Sequence, residues 1–131
     1  MNTLKLKKTP PSGTIVLNRP DKRNAITREM MADLAQALED FHGEKNVRAV
    51  IITGSGSAFC AGMDLGEMQA TAREPDAWKR GHENSVAYGV LGERMLHYPK
   101  PTTAGVNGPA MAGGLGLVLG DMIYLTGVIL G

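Results

Sequence analysis

Two stretches of this sequence join a short apolar run to a glycine-rich loop, and loops of that kind can present backbone N–H groups to a ligand. In the first, residues 48–53 lead into a glycine- and serine-rich loop from Gly54 to Gly62. In the second, residues 102–106 lead through Asn107, Gly108 and Pro109 to Gly113 and Gly114. Both units place free N–H groups just past a strand. The second also places them at the start of a predicted helix over residues 112–119, where the helix dipole favours developing negative charge. Glycine lets a ligand approach such a backbone closely. Two converging N–H groups can stabilise an oxyanion, and one such donor is typically worth about 10²–10³ in rate. Spacing alone leaves the alternative open that the glycines only make tight turns.

Other chemistry-bearing residues are sparse. Cys60 is the single cysteine and lies beside the first loop, but no histidine stands at a motif distance from it, so it reads as a buried inert thiol. His42, His82 and His97 lack metal-ligand spacing, and no metal is expected. Glu67 follows the first loop; it could face a ligand, but it reads better as a helix-surface carboxylate. Gly114, Gly116 and Gly120 imitate a dinucleotide fingerprint. Three residues separate the last two, and a Rossmann unit needs a further strand and an acid about 20 residues on.

The elements that must position the loops can be read from periodicity. Residues 3–8 alternate apolar and charged side chains, as a half-buried strand does, with Lys5, Lys7 and Lys8 on a solvated face. Pro10 to Gly13 form a turn, and residues 14–17 a second strand. Residues 18–24 are a polar loop. Thr27 caps a helix running to about Phe41, with Met30, Leu34, Leu38 and Phe41 on one face. The continuous apolar run 48–53 suits a strand covered on both sides. Strand, helix and strand in that order imply a right-handed crossover. A second helical region runs from Glu74-Pro75 towards His97, weakened by Gly81, Gly89 and Gly92 at roughly 1 kcal/mol each. Residues 102–106 form a third buried strand.

Composition fits one globular α/β domain: 131 residues, 43% hydrophobic and 21% charged. A net charge of +1 gives no electrostatic case for nucleic acid or an anionic membrane. A lone cysteine and the absence of a leading apolar segment suit a reducing, cytoplasmic location. The run from Leu115 to Leu130 is mostly apolar but interrupted by Gly116, Gly120, Asp121 and Gly127, too short and broken for a membrane span. An apolar run ending at Gly131 without a polar cap predicts an incomplete chain, prone to association.

Several segments, taken in order, resemble the crotonase superfamily, the enoyl-CoA hydratase/isomerase family. They are Leu17-Asn-Arg-Pro-Asp-Lys-Arg-Asn-Ala-Ile-Thr27, Val47-Arg-Ala-Val-Ile-Ile-Thr-Gly54, Ala58-Phe-Cys-Ala-Gly-Met-Asp-Leu65, Lys100-Pro101 and Val106-Asn-Gly-Pro-Ala-Met-Ala-Gly-Gly114. The resemblance implies an α/β fold of repeated ββα units in a crotonase-like spiral. Residues 1–131 would be the N-terminal part of a single domain, truncated at the C-terminus. It implies acyl-CoA thioester substrates, with coenzyme A as part of the substrate and no separate cofactor. It also implies homo-oligomers, usually trimers or hexamers. The family's two oxyanion donors match the backbone N–H groups of Met63 and Gly113. Met63, Asp64, Leu65 and Gly66 would line the adenine and pantetheine path, with Asn24 and Ala25 flanking the pantetheine. Ala61 is counted with the substrate-binding positions. Lys22 or Arg23 could meet CoA phosphates, and Asp64 is expected to hydrogen-bond loop backbone.

The pattern departs from the family at its proton-transfer groups. A typical hydratase adds water to a 2-enoyl-CoA with two glutamates, the first three residues after the second donor. Gly116 stands there. The second is expected about twenty residues further on, beyond Gly131, and Asp121 arrives one residue earlier than the family's usual acid. Each acid–base group is normally worth about 10²–10⁴-fold. The sequence therefore suggests a hydratase-type chain that binds and polarises an acyl-CoA. The alternatives are an isomerase-type enzyme and a non-catalytic truncated remnant that at most binds CoA or a partner.

Overall fold

The computed structural model describes residues 1–110. The expected helix at 112–119, Gly113, Gly116, Asp121 and the apolar run to Leu130 lie outside the described residues. Strands β1 (Leu4–Thr9) and β2 (Ser12–Leu17) pair antiparallel across Pro10 and Pro11. Helix α1 (Arg28–His42) leads to β3 (Ala49–Gly54), which lies parallel to β2 with Ile15 opposite Ile52. Helices α2 (Leu65–Ala72) and α3 (Ala77–Leu96) precede β4 (Thr102–Gly105), parallel to β3. The sheet order is β1-β2-β3-β4. The chain thus opens with a ββα unit.

The core is the contact between α1 and the inner face of the sheet. Thr27 Oγ1 accepts the Met30 N–H at 3.1 Å, satisfying one of the four donors that a helix start leaves unpaired. From there Met30, Leu34, Ala37, Leu38 and Phe41 recur at helical spacing, and all are buried. They meet Ile15, Leu17, Val50 and Ile52, whose period-two alternation turns them to the same face. Gly13 makes room for the Phe41 ring, which would lie 2.8 Å from an added Cβ.

Three expectations need correction. Strand β1 is not half-buried: only Leu4 is covered, and Leu6 is exposed like its lysines. It is the edge strand, and α1 reaches only its start; a side chain can alternate correctly and still find nothing to pack on. Strand β3 is fully covered on one face only, for Ile51 and Thr53 are half-buried. The turn is also tighter than expected, so Ser12 and Gly13 already pair in β2.

Helix α3 forms despite its three glycines because its C-terminal end is tied to α1. Leu91 and Met95 are buried, Arg94 pairs with Glu39 at 3.6 Å, and the Tyr98 hydroxyl just past the helix donates to the Leu38 carbonyl at 2.6 Å. Lys100 donates to the carbonyls of Phe41 and Glu44, which sets the approach to β4. Among the described residues no helix is long and apolar enough to cross a membrane.

Leu34 sits at the centre of the α1–sheet contact with no exposure. Leu34→Ala is expected to lower unfolding free energy by about 2–5 kcal/mol, the range for buried leucine deletions. Urea denaturation followed by circular dichroism measures it; a loss below 1 kcal/mol would mean this contact is not the core.

Candidate functional site

The first glycine loop leaves β3 at a point where only glycine fits. A Cβ on Gly54 would lie 2.6 Å from the Phe59 carbonyl oxygen. Two asparagines then hold the loop by its backbone. Asn24 Nδ2 donates to the carbonyls of Ser55 and Ala58 at 2.9 and 3.0 Å, and its Oδ1 accepts the Arg19 N–H at 2.8 Å. Asn107 Nδ2 donates to the carbonyls of Gly56 and Ala58 at 3.2 and 3.1 Å, while its Oδ1 accepts the Gly54 N–H at 3.1 Å. The Asn24 backbone takes φ 57°, a left-handed conformation that asparagine tolerates better than most residues.

Beyond the loop the chain is tied on both sides. Phe59 and Cys60 donate N–H groups to the Pro109 carbonyl at 3.0 and 3.3 Å, beside the parallel bridge from Cys60 to Ala110. Ala61 N–H donates to the Arg23 carbonyl at 2.9 Å. Gly62 then turns at φ 95°, and a second parallel bridge pairs Met63 with Ile26. In it Ile26 N–H donates to the Gly62 carbonyl at 2.7 Å, and Asp64 N–H donates to the Ile26 carbonyl at 2.9 Å. A parallel bridge uses the neighbours of one residue and turns that residue's own amide groups the other way. Met63 is that residue. Its N–H donates no hydrogen bond among the described residues.

Asp64 starts α2. Its Oδ1 accepts the Glu67 N–H at 2.8 Å, and its Oδ2 accepts from Arg19 Nη1 at 3.1 Å. That N–H, opposed by burial and aided by Arg19, holds the Asp64 carboxyl below the usual carboxylate range. Glu67 Oε1 accepts the Arg28 N–H at 2.8 Å, joining the start of α1 to that of α2.

Between α2 and α3 lies an apolar cleft of about 620 Å³. Met63 and Ile26 form part of its wall; Met68, Trp78, Asn84 and Tyr88 form much of the rest. Asn84 Oδ1 is buried there without a hydrogen-bond partner among the described residues. Burial raises the Tyr88 hydroxyl pKa, with the nearby Cys60 adding to the shift. Cys60 is fully buried, and burial pushes its thiol up more than a Gly62 backbone hydrogen bond lowers it. Leu65, 73% exposed, and Trp78, 80% exposed, leave apolar surface on these two helices. No group of three His, Cys, Asp or Glu side chains that could hold a metal occurs among the described residues.

The structure therefore brings Asn24, Ala25, Ala61, Met63 and Asp64 together. Leu65 and Gly66 follow on the exposed first turn of α2, while Lys22 and Arg23 are exposed beside a 3-10 turn at Pro20–Lys22. Gly113 lies outside the described residues. The Asn24 side chain is committed internally, so any contact with a ligand must come from its backbone. Arg19, Asn107 and the cap made by Glu67 gained no role from the sequence, although Arg19 and Asn107 stand inside the family-like segments.

The sequence profile described as enoyl-CoA hydratase/isomerase matches residues 13–127. The chain is 45% identical over 112 residues to a Thermus thermophilus protein named provisionally as an enoyl-CoA hydratase, covering 85% of this chain and 44% of that protein. It is 36% identical over 114 residues to the 1,2-epoxyphenylacetyl-CoA isomerase of Escherichia coli, covering 86% and 42%. It thus spans less than half the length of either. The crystal structure of an enoyl-CoA hydratase from Polaromonas sp. JS666 superposes with TM-score 0.83 at 31% identity, covering 89% of this chain and 45% of that one.

Two outcomes follow from the electrostatics. A carboxyl held low in the fold stabilises it above the unfolded aspartate value of about 4, and that contribution is lost as pH falls through the folded value. The stability gap between wild type and Asp64→Asn, from denaturant titrations, should be widest near neutrality and close in acid; a gap that widens in acid contradicts the assignment. Cys60 should react with iodoacetamide far more slowly in the folded protein than in urea. Equal rates would mean that the thiol is not buried.

Proposed function

The chain belongs to the enoyl-CoA hydratase/isomerase family, and from that premise we propose that it binds an acyl-CoA thioester and polarises its carbonyl. The observation that carries this reading is the Met63 N–H, left unengaged by the Ile26 bridge, on a residue that lines an apolar cleft. Such a donor suits a carbonyl oxygen on which charge develops. The Gly113 N–H is the proposed second donor. The cleft between α2 and α3 takes the acyl chain. The first turn of α2, with Ala61 and the Asn24–Ala25 backbone, borders the pantetheine, and the exposed Lys22 and Arg23 are available to CoA phosphates. Coenzyme A enters as part of the substrate, without a separate cofactor.

Hydration of a 2-enoyl-CoA is the reaction proposed for the whole protein. Water adds at the β-carbon, the electron pair moves to the thioester oxygen, and the resulting enolate takes a proton at the α-carbon. The two N–H groups would stabilise the enolate oxygen. Proton transfer needs a separate acid and base, and among the described residues the carboxylates nearest Met63, Asp64 and Glu67, are both engaged by backbone N–H groups. The isomerase of Escherichia coli among the relatives favours isomerisation as the second reading. A remnant that only binds CoA or a partner is the third. We place residues 1–131 in the N-terminal part of a single crotonase-like domain. Exposed Leu65, Trp78 and Val90 support a homo-oligomer.

Isothermal titration calorimetry of the folded chain with butyryl-CoA should give saturable heat; a folded sample without heat removes the thioester proposal. With crotonyl-CoA, hydration by this chain is expected to fall short of a complete family member by about 10²–10⁴ for each acid–base group not supplied. Rates near those of a complete member would overturn that expectation.

A further inference from the structure

We propose that Arg19 is a positioning residue for the Met63 N–H, acting as a strap across the Ile26–Met63 bridge; this rests on the acyl-thioester reading above. One nitrogen of its guanidinium, Nη1, donates to the Ala25 carbonyl at 2.5 Å and to Asp64 Oδ2 at 3.1 Å. Ala25 immediately precedes Ile26, and Asp64 immediately follows Met63. The strap therefore joins the two chains of the bridge at the residues that flank the paired ones. Capping α2 requires only Asp64 Oδ1, which takes the Glu67 N–H. Oδ2 is surplus to that cap, and it is the atom that Arg19 holds.

The strap is itself anchored. Asn24 Oδ1 accepts the Arg19 N–H, so the residue that holds the glycine loop also holds the base of the strap. Glu67 fixes the other side by tying the first turn of α2 to the start of α1. The pair is well covered, with side-chain exposures of 21% for Arg19 and 13% for Asp64, so water and salt screen it less than a surface pair. An arginine keeps its charge at every relevant pH and can reach two acceptors with a rigid planar group. A single isolated bridge has few hydrogen bonds to resist twisting. A donor serves a developing oxyanion only when its direction holds within about 10–20°. Without the strap, the 62–64 segment keeps its two bridge bonds and gains freedom to rock about them.

The test compares the full chain with Arg19→Met, Arg19→Lys and Asp64→Asn, the last keeping an oxygen to cap α2 while removing the ion pair. Amide hydrogen exchange, without ligand, reads the Ile26 and Asp64 N–H groups against Ile52 in the core. A chromophoric arylacryloyl-CoA then reports carbonyl polarisation as a red shift of its absorption, separately from its Kd. Arg19→Met and Asp64→Asn are expected to speed exchange at Ile26 and Asp64 about tenfold with Ile52 unchanged. They should lose more than half of the red shift while Kd stays within about threefold. Arg19→Lys should recover part of the shift. Unchanged exchange at Ile26 and Asp64 in folded Asp64→Asn overturns the strap whatever the ligand does. Faster exchange with an intact red shift overturns its role in aiming Met63. Wild-type binding without any red shift overturns the thioester reading and the positioning role with it, and the exchange data then identify a purely structural tie.

Discussion

The carbonyl oxygen of Ala58 accepts two side-chain amides, one from Asn24 and one from Asn107. The glycine loop after β3 cannot form a ladder of its own, yet part of it is buried, and a buried carbonyl without a partner costs about 1–3 kcal/mol. An asparagine amide has two donors and an acceptor on a short stem, so it can imitate a strand where no strand runs. Asn24 comes from the segment before α1 and Asn107 from the segment after β4. The loop is thereby clamped by the two regions that flank it in space. Everything from Gly54 to Asp64, including the direction of Met63, depends on that clamp.

The rest of the fold serves to bring those asparagines to the loop. Helix α1 packs on β2 and β3 with almost complete burial of its inner face, which fixes the segment ahead of Thr27. Parallel pairing of β3 with β4 brings residue 107 beside Gly54, whose backbone is close enough that a Cβ would meet Asn107 Oδ1 at 2.9 Å. A small rotation of α1 would thus be felt at Ala58. That is how a hydrophobic contact without direction of its own produces a directed hydrogen-bond donor more than a helix length away in sequence.

The sequence was most legible where one physical rule acted alone. Helix α1 announced itself by Thr27 and by apolar residues three and four apart, and the structure places it within a residue of the expected ends. The parallel order of β2 and β3 followed from the intervening helix. Legibility failed where two distant segments had to be known together. Strand β1 carries a sound alternation, but its exposure depends on how far α1 reaches. Helix α2 has eight residues and weak periodicity, so its start was hidden until Asp64 could be seen as its cap. Glu67 sits on a helix, as its position suggests, but its bond to the Arg28 N–H, 39 residues away, carried no signal in the sequence. The motif position of Asn24 suggests a place flanking the pantetheine, but it does not reveal that the side-chain amide is already engaged by Arg19, Ser55 and Ala58.

The arrangement separates orientation from proton transfer. The hydrogen bonds that hold the Met63 segment, from Asn24, Asn107, Arg19, Asp64 and Ile26, all lie within the described residues. Proton transfer is not supplied by the same residues, since Asp64 and Glu67 each accept a backbone N–H, and that bond holds the Asp64 carboxyl below the usual carboxylate range. An oxyanion donor contributes about 10²–10³ in rate and an acid–base group about 10²–10⁴. The two contributions are of similar size and are carried by different parts of the pattern. On the acyl-thioester reading, recognition of the thioester and polarisation of its carbonyl would survive changes that abolish turnover.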